Sequence, residues 1–174
     1  DYTAIVVIGV NEENDIYVLD IDRFKSDKIS EYYNRLVAMY NKWGFKKLRA
    51  EVTTAQQVIV NDLKQRFKEN GIYLKIDEFR PSRHQGSKEE RIAAVLEPRY
   101  ENLSIWHYRG GYTSVLEEEV LLARPPHDDI VDTLASIVEI AQRPRSRSQT
   151  KKDNVIPFQS TYNKRFGGFG TTMR

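Results

Sequence analysis

Between Pro126 and Ile137 the chain sets His127, Asp128, Asp129 and Asp132 at the head of an apolar run. Ile130, Leu134, Ile137 and Val138 recur at the spacing of an amphipathic helix packed on a core, and Pro125-Pro126 stops whatever precedes it. Asp129 and Asp132 are three apart and Asp128 and Asp132 four apart, so each pair projects from neighbouring positions on one side of such a helix. Carboxylates gathered in this way can hold a hard divalent cation. Acidic residues in a first turn also complement the helix dipole and cap free N–H groups, and spacing alone leaves both roles open. Glu51 is the other carboxylate of interest. It ends a predicted internal strand just before a helix, where open α/β sheets gather ligands. Its alternative is an ion pair with Lys46 or Arg49. With no cysteine in the chain, any metal must be held by oxygen or imidazole.

The elements that must position these residues follow from periodicity and punctuation. Thr3–Val10, with Ile5, Val6, Val7 and Ile8 in succession, reads as a strand apolar enough to be central and covered on both faces. Turn residues at 11–14 and a second strand, Ile16–Ile21, make a hairpin. Ser30 is placed to cap a helix with Tyr33, Leu36, Val37, Tyr40 and Trp43 on one side and Gly44 at its end. A strand over Lys47–Val52 leads to Thr53 or Thr54 as the cap of a helix through Val58, Leu63 and Phe67 to Asn70-Gly71. Ile72, Leu74 and Ile76 alternate as a strand, followed by a loop from Arg80 to Ser87. Ser87 and Glu90 form a capping box for a helix ending near Pro98. A short apolar stretch over 103–108, a helix opened by Thr113 and the acidic helix complete an α/β domain with a mixed sheet.

The 174 residues, 40% hydrophobic, can bury one ordinary core. No apolar run is long enough to span a bilayer, and no P-loop motif is present. The net charge of +2 hides an asymmetry. From Arg143 onward eight basic residues face the single acid Asp153, a balance of +7, which leaves −5 for the body. Residues 1–142 read as the folded domain. Residues 143–174, with Phe158, Tyr162, Phe166 and Phe169 among arginines and glycines, read as a flexible tail able to bind nucleic acid by charge and stacking.

Several stretches together resemble the C-terminal nuclease domain of the large terminase subunit of tailed bacteriophages. They are Leu96-Glu97-Pro98-Arg99-Tyr100-Glu101-Asn102, Ile105-Trp106-His107, Leu116-Glu117-Glu118-Glu119 and His127-Asp128-Asp129-Ile130-Val131-Asp132-Thr133-Leu134-Ala135. Asp1-Tyr2-Thr3-Ala4, the strand ending in Glu51 and Ser87-Lys88-Glu89-Glu90-Arg91-Ile92 precede them in the family's order. The resemblance implies a ribonuclease H-like fold, a mixed central sheet flanked by helices. It also implies a metal-dependent endonuclease that cuts concatemeric double-stranded viral DNA during packaging in the host cell cytoplasm. Of that family's three acids, Glu51 matches the second, and the aspartates after His127 match the third, with Asp129 favoured over Asp128 because Asp129-x-x-Asp132 resembles the paired acids of junction resolvases. The first acid belongs to a strand pairing with Thr3–Val10. Either that strand precedes Asp1 or Asp1 takes its place as a metal ligand. The implied partners are an ATPase domain upstream, the portal protein and the small terminase subunit.

The chemistry explains the need for carboxylates. Two Mg²⁺ or Mn²⁺ ions about 3.5–4 Å apart activate a water and stabilise the leaving oxygen of a phosphodiester. Arg80, Arg83 and Lys88 are candidates for holding the DNA backbone. Two rivals remain: a non-catalytic docking module whose acids are caps and whose tail binds, and another ribonuclease H-like nuclease such as a junction resolvase. The charge asymmetry makes one prediction. Removing 143–174 weakens DNA binding and flattens its dependence on salt, measured as affinity against salt for the full and truncated chains; equal slopes would show that the tail does not touch DNA.

Overall fold

The computed structural model describes residues 2–53, 56–80, 87–122 and 125–144. Asp1, Arg83 and the tail from 145 onward lie outside the described residues. In order, the elements are β1 (Thr3–Val10), β2 (Ile16–Phe24), α1 (Ile29–Trp43), β3 (Lys47–Glu51), α2 (Gln56–Glu69), β4 (Lys75–Phe79), α3 (Lys88–Glu101), β5 (Ile105–His107), α4 (Thr113–Leu121) and α5 (Asp129–Glu139).

The strands form two pieces. β1 and β2 pair antiparallel, from Thr3 opposite Phe24 to Val10 opposite Ile16, with a register shift between Val7 and Ile8; β5 adds to β2 in parallel. β3 and β4 pair in parallel, Glu51 opposite Phe79. Both pieces pack on one helical layer, and the β1-β2-β5 piece packs on a second. On one side Ile5 of β1, Leu48 of β3 and Ile76 of β4 pack with Leu36 of α1 and Leu63 and Phe67 of α2. On the other, Val6, Ile16, Val18 and Ile105 pack with Leu96 of α3, Leu116 of α4 and Ile130, Leu134 and Val138 of α5. Arg49 of β3 reaches this second layer through Glu139 of α5, at 2.7 Å. This is the mixed α/β arrangement that the periodicity implied.

Four local expectations change. β1 is covered on both faces at its middle, with Val6 and Val7 buried, yet among the described residues it ends the β1-β2-β5 order and pairs with β2 alone. Hydrophobicity reports coverage of a strand's faces and says nothing about its hydrogen-bonding edges. Ser30 lies inside α1 and Lys28 is its N-cap, because Ser26 has already ordered the preceding turn by accepting from Lys28 N and Tyr32 Oη. The strand expected over Ile72–Ile76 begins at Lys75; Ile72 N–H donates to Phe67 and closes α2, while Ile72 and Leu74 fill the α2 cluster. α3 continues through Pro98 to Glu101, and the Pro98 carbonyl still accepts from Asn102.

Thr53 caps α2 reciprocally, its backbone N–H donating to Gln56 Oε1 at 2.9 Å and its Oγ1 accepting from Gln56 N–H at 3.4 Å. Ser87 and Glu90 form the capping box read from sequence. Among the described residues no helix is long and apolar enough to cross a membrane. Leu134 of α5 is fully buried where that helix meets the sheet. Leu134→Ala should lower unfolding stability by about 2–5 kcal/mol, read as a shifted urea midpoint at unchanged slope.

Candidate active site

α5 buries Ile130, Val131, Leu134, Ala135 and Val138, so its apolar stripe fixes its rotation and leaves the three aspartates at the rim. Asp128 is the N-cap residue by position, yet its side chain makes no capping bond. The capping comes from α4. Glu119, 5% exposed, accepts with Oε2 from the amides of Ile130 (3.0 Å) and Val131 (2.8 Å). Burial pushes its carboxyl above the usual range, against the pull of those two donors and of Arg23. Its Oε1 and Arg23 Nε are buried without partners.

The aspartates therefore separate into two groups. Asp129 faces β2, where its Oδ2 accepts from Arg23 Nη2 at 3.2 Å. Asp128 and Asp132 face α3. Lys88 Nζ stands 2.8 Å from Asp128 and 3.3 Å from Asp132, and Arg91 Nη2 is 3.3 Å from Asp132. Glu51 joins this second group from the end of β3. Its residue surface is exposed, but partial desolvation of the carboxyl raises its pKa, the Asp132 charge raises it further, and Arg91 and Lys88 oppose.

The remaining candidates lie around these groups. His127 packs edge-on against Tyr2 with ring centroids 5.2 Å apart, and Tyr2 also carries Arg23 and Lys25 against its ring. Arg80 is exposed and donates to Gln57. Asp1 and Arg83 lie outside the described residues. Sequence reasoning missed Arg23, Arg91 and the capping role of Glu119. Arg91 was accessible, since it follows Lys88 by three in the capped helix. Arg23 left no signal, because a lone arginine in a strand has many possible partners.

Donor chemistry here fits a hard divalent cation. Glu51, Asp128 and Asp132 offer only oxygens, and two of them already share a cation in the Lys88 ammonium. Among the described residues no three acidic or imidazole groups stand close enough to hold one ion together, so the fit lies in donor type and a shared cation.

Residues 1–105 match the family described as Terminase Bacteriophage T7, Ribonuclease H-like domain. No curated protein matches. Among solved structures, the fowlpox virus Holliday junction resolvase aligns with a TM-score of 0.46 and 17% identity over 80% of this chain and 96% of its own.

The Glu51 shift generates a prediction. Its folded pKa lies above its unfolded value, so the folded form loses stability as pH rises from the ordinary glutamate range through the raised one. Glu51→Gln removes that loss. It should raise the melting temperature at pH 7 and change it less at pH 4, followed by circular dichroism.

Proposed function

Because the chain belongs to the terminase ribonuclease H-like domain family, we propose that it is the endonuclease domain that cuts concatemeric double-stranded viral DNA during packaging, using Mg²⁺ or Mn²⁺. The observation that carries this reading is the pairing of Asp128 and Asp132 with Lys88 and Arg91, within electrostatic reach of Glu51 at the C-terminal end of β3. Asp128 and Asp132, which already share the Lys88 ammonium, would hold one ion, and Glu51, Asp129 and Asp1 are proposed as the further metal ligands. When bound, such ions supply a nucleophilic water and stabilise charge on the leaving oxygen.

The chain's own residues do the rest. Arg91 presents a planar fork beside Asp132, suited to clamp a phosphate, and Lys88 adds a point charge next to it. Arg80 and Arg83 are proposed as further phosphate contacts. Arg23 holds Asp129, and Glu119 holds the first turn of α5, so the acids keep their orientation before substrate arrives. The basic tail is proposed to contact DNA and the portal, with the small subunit and an ATPase domain as further partners.

The test is cleavage of supercoiled plasmid in Mn²⁺ by the domain in its full-length protein. Asp132→Asn and Glu51→Gln should each lower the rate at least as much as the ~100-fold upper end for losing an outer-shell partner of a metal ligand, with the far-ultraviolet spectrum unchanged. Wild-type rates in either variant would remove that residue from the mechanism. Preferential cutting of a four-way junction over linear duplex would favour a resolvase.

A further inference from the structure

Lys88 has an unusual position for a surface lysine. It is the first residue of α3, fixed there by the Ser87–Glu90 capping box, and its ammonium bridges Asp128 at 2.8 Å and Asp132 at 3.3 Å. Those acids come from the start of another helix, so the bridge ties α3 to α5. Arg91, one turn along α3, takes the other oxygen of Asp132. Two carboxylates thus face two cations of the protein itself.

The two cations are not equally held. Arg91 is 19% exposed, packs its guanidinium against the Phe79 ring and is planar, so its geometry is set by its surroundings. Lys88 is 39% exposed, ends a flexible four-carbon stem and makes point contacts. A hard divalent cation at this place would be held by the same carboxylate oxygens. An ion of like sign among the same oxygens would compete with the ammonium for their lone pairs and repel it.

We propose that Lys88 is an exchangeable counter-cation: it holds Asp128 and Asp132 together in the metal-free protein and leaves them when a divalent ion enters. The released ammonium stays at the rim of the site, where substrate phosphate is its natural partner. The exchange rests on the metal reading above and adds a competition between a residue of this chain and the ion. Linkage makes the competition reciprocal: removing the lysine must strengthen ion binding, and binding the ion must free the lysine.

Titration calorimetry of Mn²⁺ into wild type and Lys88→Met, without DNA, tests this. Met keeps the aliphatic stem and removes the charge. Lys88→Met should bind Mn²⁺ about 5-fold tighter or more, the lower end of typical coupling between linked sites. Wild type that binds Mn²⁺ while Lys88→Met binds equally or more weakly would overturn the exchange and leave the metal reading standing. Binding by neither protein would overturn both. As a second measurement in wild type, Mn²⁺ should increase acetylation of Lys88 by acetic anhydride, read by peptide mass spectrometry. Unchanged or reduced modification would show that the ammonium does not leave.

Discussion

The amides of Ile130 and Val131 donate to one buried oxygen of Glu119, and the chemistry available at the head of α5 depends on that pair of bonds. The first N–H groups of any helix lack partners within it, and a short acidic side chain at the N-cap ordinarily takes them. Asp128 occupies that position and does not. Because a glutamate from α4 does the capping, the carboxylate of Asp128 reaches Lys88, Asp129 reaches Arg23, and Asp132 meets both Lys88 and Arg91. The arrangement has a cost. A carboxylate is buried with its Oε1 unpartnered, and its desolvation is only partly offset by two amide donors and the nearby Arg23.

The same economy of charge runs through the rim. The Asp132 charge disfavours charge on Glu51, and two cations from a single capped helix, Lys88 and Arg91, oppose it. Partial exposure keeps these pairs modest as sources of stability. A group of carboxylates that already holds positive charge at the C-terminal end of a parallel strand pair suits the handling of a cation and a phosphate together.

Packing locates the rim. The apolar stripe of α5 meets β1 and β2, and Arg49 anchors β3 to the far end of the same helix through Glu139. The second contact matters for function, because β3 is the strand that ends in Glu51. One helix thus carries three aspartates at its start and holds near its end the strand that delivers the fourth acid.

How much of this was legible in the sequence depends on the range over which each feature is decided. The amphipathic period of α5, the capping box of α3, the strand before Glu51 and a donor set limited to oxygen and imidazole are local or compositional, and residue order alone determined them. The family was legible because short motifs held their order along the chain. The shifted start of β4 and the position of β1 at the end of its sheet were not, since apolar alternation does not reveal which backbone edges pair. The division of the aspartates was decided only by tertiary structure. Arg23 is 106 residues from Asp129 and Arg91 is 41 from Asp132, so which cation each carboxylate meets is set by how β2 and α3 pack on α5. Spacing puts Asp128, Asp129 and Asp132 on one helix start; the direction each faces depends on neighbours that no local pattern encodes.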